Sequence, residues 1–406
     1  MINICVIGQG YVGLPISIQA ASAGFNVFGL DIDSNKIENL KLGITSSLEV
    51  KKDNLLSLQK AGKLTFVTEL TAKHSIQIYI IAVPTPLNKK QEPELSMLQN
   101  ACETIAKFVV PNSLVINEST SFIGTLRNFI KPLIEKNSGT RDLKYAVAPE
   151  RIDPGNEKWN VNNTPRIISG LSENAINEAI EFYSTFCGVI HRVDKPEIAE
   201  AAKLMENTFR QVNIALVNEL TEIASKFNFS LHDAISAAAT KPFGFMPFYP
   251  GIGVGGHCIP VDPTYLSYSA KQVGAESSFI NLANTTNTSM PHKIVSRIES
   301  YLKTDLNGKL IQLAGIAYKT EVSDIRESPA LELIILLESK GSVVTYHDPF
   351  VDNWKNLSSV PLNPKVDLGI IITPHKKIDY SVWKLNKTPV IDLSSTPKSF
   401  GWPKFL

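Results

Sequence analysis

Ile2-Asn-Ile-Cys-Val-Ile-Gly8-Gln-Gly10-Tyr-Val-Gly13 is the stretch that decides the fold. A strand-length apolar run enters a Gly-x-Gly-x-x-Gly turn, and a helix of small residues over 11–23 follows, closed by Gly24. The next strand, residues 26–30, ends on Asp31. Strand, glycine turn, helix and an acidic residue about 20 positions on make the dinucleotide fingerprint. Gly8 allows the tight turn, Gly10 lets the backbone approach a pyrophosphate, and Gly13 lets the helix pack close to the strand. The helix N-terminus then offers unpaired N–H groups and positive potential to phosphates. Asp31 is placed to accept from ribose hydroxyls and to repel a 2′-phosphate, which favours NAD over NADP.

Outward from this motif the alternation continues. The run at 78–83 opens onto Pro84-Thr-Pro-Leu, that at 114–117 onto Glu118-Ser-Thr120, and that at 145–149 onto Glu150-Arg151. Ligands of doubly wound sheets sit beyond the carboxyl ends of the strands. Thr85, Glu118 and Thr120 are therefore candidates for lining a nicotinamide pocket, with solvated turn residues as the alternative. From residue 309 the rhythm returns: a strand over 309–314 with Gly315, a helix over 329–340 with Gly341, and a strand over 343–346 ending at His347-Asp348-Pro349. The run at 368–373 ends in Thr-Pro374 and that at 390–393 in Ser394-Ser395, echoing the turns after 83 and 117. A second Rossmann-like domain is expected. It lacks a complete glycine fingerprint, so a different ligand or a structural role is expected there rather than a second dinucleotide.

Between the two halves, Pro196 precedes a helical pattern over 197–227 with no internal glycine or proline. At 1.5 Å per residue it spans ~45 Å, enough to bridge two domains. Lys203 and Asn207 are four apart and share a face. Lys203 lies in the apolar run Ala201-Ala-Lys-Leu-Met205; it either snorkels to water or pairs with a glutamate, or joins Asn207 in stabilising a developing oxyanion. A short helix over 231–239, with Ser230 as N-cap, leads to Pro247-Phe-Tyr-Pro-Gly-Ile-Gly-Val-Gly-Gly-His-Cys-Ile-Pro-Val-Asp262. Prolines at 247, 250 and 260 argue against a helix there. Cys258 follows two glycines and precedes Asp262 by four residues, the pattern of a loop presenting a thiol or of a cysteine buried in a tight turn.

Length and composition set limits. A chain of 406 residues exceeds what one core supports, so two or three domains are expected. A formal net charge of +1 gives no electrostatic reason for a nucleic-acid or anionic-membrane partner. The longest apolar runs are strand length, too short to span a bilayer, and the N-terminus has no signal-peptide pattern. Four scattered cysteines, Cys5, Cys102, Cys187 and Cys258, lack zinc or disulfide spacing; a cytoplasmic protein with reduced thiols is expected, and no metal.

Together these segments resemble the UDP-glucose/GDP-mannose dehydrogenase family. The resemblance runs through GQGYVG at 8–13, VPTP at 83–86, EST at 118–120, APER at 148–151, AEAAKLMEN at 199–207, GVGGHCIPVD at 253–262 and AYKTEVSDIRES at 317–328. It implies an α/β protein with two Rossmann-like doubly wound domains joined by a helical middle. The corresponding boundaries are 1–193 for NAD, 194–295 for the helical, dimer-forming part with the cysteine loop, and 296–406 for UDP. It implies oxidation of a nucleotide sugar's C6 alcohol to the acid, with two NAD per sugar.

The resemblance also assigns residues. Cys258 matches the nucleophile, Lys203 and Asn207 the oxyanion donors, and Asp262 the proton-transfer carboxylate. Glu150 matches the carboxylate of thioester hydrolysis, and Thr120 the threonine that positions water. The NAD contacts fall on Gly8, Gly10, Tyr11, Val12, Gly13, Asp31, Lys36, Val83, Pro84, Thr85, Ser119, Thr120 and Arg326. The sugar-nucleotide contacts fall on Glu150, Arg151, Lys203, Asn207, Phe248, Tyr249, Gly253, Gly255, Cys258, Tyr318 and Lys319. The GHCIPVDP loop after PFYPG looks most like UDP-N-acetylglucosamine 6-dehydrogenases, with UDP-N-acetylmannosamine and UDP-glucose enzymes as alternatives. Asp392-Leu-Ser-Ser395 departs from the family in lacking an arginine after the aspartate. A non-catalytic NAD-binding module has no need of Cys258, Lys203, Asn207 and Asp262 together. A hydroxyacid or acyl-CoA-type dehydrogenase makes a single hydride transfer and needs no cysteine.

Overall fold

Residues 2–45, 50–152, 158–256, 259–398 and 400–406 are described by a computed structural model. The chain divides into two compact units, residues 1–205 with 268–274, and residues 206–267 with 275–406.

The first unit holds an eight-stranded sheet: β1 (Asn3–Ile7), β2 (Asn26–Leu30), β3 (Leu64–Val67), β4 (Ile78–Ile81), β5 (Leu114–Asn117), β6 (Lys144–Val147), β7 (Arg166–Gly170) and β8 (Ile190–Arg192). Its order is β3-β2-β1-β4-β5-β6-β7-β8, parallel except where β7 runs antiparallel to β6. Strands β4 and β5 are buried on both faces, as parallel strands covered by helices must be, and therefore read as unbroken apolar runs. Around the sheet lie α1 (Gly13–Ser22), α2 (Ser34–Lys41), α3 (Lys52–Lys60), α4 (Ser96–Ala106), α5 (Lys131–Ser138) and α6 (Glu173–Ser184). A single π-turn, Leu126–Ile130, leads into α5. Sequence order reverses between β1 and β4, which makes their carboxyl ends the ligand edge.

The helix α7 (Pro196–Phe227) begins in the first unit and ends in the second; its 32 residues agree with the unbroken pattern in the sequence. It is followed by α8 (Leu231–Ala238), whose N-cap Ser230 accepts from the Asp233 N–H. The helices α9 (Asp262–Gln272), α10 (Ser278–Thr288) and α11 (Met290–Leu302) come after the cysteine loop. Among the described residues no helix is long and apolar enough to cross a membrane.

The last third of the chain folds as β9 (Leu310–Ala314), α12 (Pro329–Ser339), β10 (Val343–His347), the hairpin β11 (Asn353–Trp354) and β12 (Leu357–Ser358), β13 (Leu368–Ile371), α13 (Ser381–Leu385) and β14 (Val390–Asp392). Its parallel sheet has the order β10-β9-β13-β14, which repeats β2-β1-β4-β5. The repeat extends to single hydrogen bonds. Gly8 N–H donates to Leu30 O at 2.8 Å, and Gly315 N–H to His347 O at 2.8 Å. The carboxylate after the second strand then reaches the turn after the first: Asp31 Oδ2 accepts from Gln9 N–H, and Asp348 Oδ2 from Ile316 N–H, both at 2.8 Å. The second Rossmann-like sheet expected from the sequence is present.

Candidate active site

The turn after β1 is shaped by close approach. A Cβ on Gly13 would stand 1.8 Å from Gly8 O, so no other residue fits between strand and helix. Around Gly10, by contrast, a Cβ would meet nothing within 4 Å, and no side chain caps the N-terminus of α1. Open space over a bare helix N-terminus, flanked by Tyr11 and Val12, is a cradle for a diphosphate. Gln9 anchors the turn from below: its amide donates to Val6 O at 2.8 Å and accepts from Ser17 Oγ at 3.0 Å. Asp31 also accepts from Asp33 N–H through Oδ1, and Lys36 Nζ lies 2.8 Å from Oδ2. Lys36 thus meets Asp31 as an ion pair. These residues could hold NAD, whose diphosphate would lie at Gly10 and whose ribose would lie at Asp31.

The turns after β4 and β5 are stitched together at the same edge. Thr85 Oγ1 donates to Thr120 O at 2.5 Å, and Ser119 Oγ to Val83 O at 2.8 Å. Val83, Pro84, Thr85, Ser119 and Thr120 therefore form one surface, as their positions after two adjacent strands predict. Glu118 does not join it. Its carboxylate is fully buried, 2.6 Å from Arg166 Nη1 and bonded to the Tyr183 hydroxyl. Burial pushes the Glu118 carboxyl up against the pull of Arg166 and Tyr183, while Glu118 overrides burial and holds Arg166 firmly protonated. The expectation that Glu118 lines a nicotinamide pocket is corrected: it is one half of a core ion pair. Next along the chain, Glu150 folds back to accept from Ile152 N–H, and Arg151 Nη1 donates to Pro165 O at 2.8 Å.

On α7, Lys203 is 7% exposed, so it does not extend to water. One turn earlier Glu200, which the sequence did not single out, is buried with both oxygens accepting backbone N–H groups, from Gly124 at 2.5 Å and Leu126 at 2.9 Å. A carboxylate flanked by Ala199 and Ala201 was its local sign.

In the second unit, Asn207 Nδ2 donates to Asp262 Oδ2 at 2.5 Å, and Asp262 is buried at the start of α9. The described residues before the cysteine are held at two points. Gly251 N–H donates to Asn218 Oδ1 at 2.9 Å, and Gly256 N–H to Arg326 O at 3.0 Å. Gly256 has φ +87°, and a Cβ there would press to 2.8 Å from the Tyr318 ring. Gly253 and Gly255 pack as closely, against Asn287 O and Glu327 O respectively. Tyr318 is thus brought to the loop, with half-buried Lys319 beside it in the chain. Arg326, expected at the cofactor, carries an ion pair with Asp324 at 2.6 Å. His257 and Cys258 lie outside the described residues. The other three thiols are buried; burial pushes Cys5 and Cys187 up and Cys102 to about 12, which leaves them poor nucleophiles.

Phe248 and Tyr249 pack within an apolar cluster with Val217, Leu220, Leu231 and Ile235. Phe248 meets Phe209 edge-on at 5.8 Å, and Tyr249 stacks on His232 at 5.4 Å. Both rings already have protein partners. At the end of β14, Asp392 pairs with Lys404 Nζ at 3.0 Å, so a lysine twelve positions on supplies the cation that the sequence lacks directly after the aspartate.

Comparison with known proteins bears on this geometry. The UDP-glucose/GDP-mannose dehydrogenase family matches in three consecutive parts: its NAD binding domain over residues 2–187, its central domain over 197–289 and its UDP binding domain over 312–396. The UDP-N-acetyl-D-glucosamine 6-dehydrogenase of Pseudomonas aeruginosa is 34% identical over 358 residues, 86% of this chain and 83% of that protein. The UDP-N-acetyl-D-mannosamine dehydrogenase of Pyrococcus horikoshii is 35% identical over 389 residues, 94% of this chain and 91% of that protein. The solved structure of UDP-D-ManNAc dehydrogenase from Pyrococcus horikoshii superposes with a TM-score of 0.88 at 32% identity, covering 100% of this chain and 97% of that one. With its three parts matched in order and relatives at 34–35% identity over most of its length, the chain belongs to the UDP-glucose/GDP-mannose dehydrogenase family and is an NAD-dependent UDP-sugar dehydrogenase.

Proposed function

We propose that this chain oxidises the C6 alcohol of a UDP-N-acetylhexosamine, UDP-GlcNAc in the first place, to the uronic acid through covalent intermediates on Cys258. Bound NAD supplies the hydride acceptor, one molecule for each of two oxidations. The carboxylate of Asp262 takes the proton of the C6 hydroxyl, and the Lys203 ammonium and Asn207 amide hold the oxygen as charge develops on it. The aldehyde stays in place because the Cys258 sulfur adds to its carbon, giving a thiohemiacetal. Loss of a second hydride from that carbon leaves a thioester. Water held by Thr120 and activated by Glu150 then cleaves the C–S bond, returning the thiol and releasing the carboxylate.

The Asn207–Asp262 hydrogen bond carries this reading, since it puts an amide donor and a buried carboxylate in contact across 55 residues of chain. The UDP-ManNAc reading is favoured by the mannosamine relative at 35% identity and by its superposed structure. Turnover of UDP-GlcNAc, UDP-ManNAc and UDP-glucose side by side tests both. Two NADH per sugar are expected, fastest with UDP-GlcNAc; one NADH per substrate excludes the covalent route.

Three further parts belong to the proposal. The domains divide near residues 193 and 295, close to the ends of the family matches. The enzyme works in the cytoplasm, where its buried thiols stay reduced. It acts as a homodimer joined along α7, where Met205, Phe209, Leu216, Ile223 and Phe227 form an exposed apolar stripe at four- and seven-residue spacing.

A further inference from the structure

Glu200 lies one helical turn before Lys203 on α7 and is 4% exposed. Its two N–H partners, Gly124 and Leu126, belong to the start of the π-turn, which no local side chain caps. Helix-start N–H groups need an acceptor, and here it arrives from more than seventy residues away. The other end of that segment is Ser119-Thr120, bonded to the Val83–Thr85 turn. Its middle is held as well, through Ile123 N–H to Ser269 Oγ at 3.0 Å. One carboxylate therefore ties the helical turn bearing Lys203 to the segment that carries Thr120.

We propose that Glu200 is a positioning residue that fixes the Lys203 ammonium relative to Ser119 and Thr120, and so relative to the reacting carbon. This rests on the role given to Lys203 above. Both oxygens must accept for both N–H groups to be held. A protonated carboxyl turns one oxygen into a donor and releases one of them. Burial pushes this carboxyl up to about 7, and the Leu126 and Gly124 N–H groups work against burial. Two charged groups act on it, Glu197 on α7 and Arg127 on the π-turn; Glu197 pushes it higher and Arg127 pulls it lower. Arg127 is in turn drawn to Glu197 at 2.7 Å. The latch is closed above neutrality and loosens below it.

The test uses the full chain and two variants. In Glu200→Gln the side chain keeps its shape but only one atom accepts. We expect kcat to fall about tenfold while KM for NAD stays within about twofold, because placement rather than binding is lost. The acid limb of kcat near pH 7 should vanish. Glu197→Gln leaves the latch intact, removes the anion that pushes Glu200 up and frees Arg127, so the limb should move to lower pH. Amide exchange at Gly124 and Leu126 reads the latch without turnover, with protection expected to fall at least about tenfold in Glu200→Gln. Unchanged amide protection, a kcat within twofold of wild type, or a limb that stays put in Glu197→Gln overturns the proposal. A wild-type chain that reduces no NAD with any of the three sugars overturns the functional reading instead, and the amide exchange still decides the latch.

Discussion

Asn207 and Asp262 share a 2.5 Å hydrogen bond, amide to carboxylate, between α7 and the first residue of α9. One N–H of the amide is thereby committed to the carboxylate, and in the proposed mechanism the other would meet the substrate oxygen. Because the two groups act as a unit, Asp262→Asn and Asn207→Ala should each cost roughly 10²–10³ in kcat. The double variant should cost far less than the product of the two. A double-mutant cycle on NADH formation with UDP-GlcNAc measures the coupling; additive losses mean that the pair works separately.

Cys258→Ala should abolish acid formation, because the other thiols are buried and held protonated. Liquid chromatography of the quenched reaction separates uronate from aldehyde, and an undiminished uronate yield rules out the thioester. Cys258→Ser should halt at a slowly hydrolysed ester, visible as added sugar mass on the intact protein.

Asp31→Ala should raise KM for NAD by roughly 10–100-fold, the worth of hydrogen bonds to a charged group. Its loss also leaves Lys36 without its 2.8 Å partner. Preference for NAD over NADP should therefore shrink, as the ratio of kcat/KM for the two cofactors reads directly.

Glu200 makes stability depend on pH in a stated direction. Its carboxyl is raised from 4.5 to about 7 in the folded chain, so between those values the folded state holds a proton that the unfolded state has released. Stability therefore falls as pH rises through that window, by up to about 3 kcal/mol. Urea unfolding from pH 4.5 to 7.5 should give this slope in wild type and a flatter one in Glu200→Gln.

Leu216→Glu with Ile223→Glu places two charges in the exposed stripe of α7. Sedimentation should then show a monomer where wild type sediments as a dimer. A wild-type monomer would argue that the stripe is covered in some other way.

Local patterns were legible where neighbours in sequence are neighbours in space. The turn from Gly8 to Gly13, the 32-residue α7 and its Ser230-capped successor, and the echo of β1, β2, β4 and β5 in the second half all came from short-range signals. The misjudged Glu118 shows the limit. Its partners are 48 and 65 residues away, and nothing beside it in the chain announces an arginine in the core. Glu200 was overlooked for the same reason, since its acceptors' donors are backbone groups on a distant turn. The contacts of Phe248 with Phe209 and of Tyr249 with His232 were likewise invisible, since those partners lie 39 and 17 residues away.

The carboxylate repeated after the second strand of each sheet has a different result in the two halves. Asp31 Oδ2 takes a single backbone donor, Gln9 N–H. Asp348 Oδ2 takes both Ile316 and Ala317 N–H, while Tyr318 N–H is spent on Asp324 O. His375, bonded to Asp348 at 3.1 Å and accepting from Glu321 N–H, locks the arrangement. With these amides spent inside the protein, a phosphate group bound at this turn would have to be met by side chains rather than by main chain. The same architecture, copied within one polypeptide, thereby presents two chemically different turns.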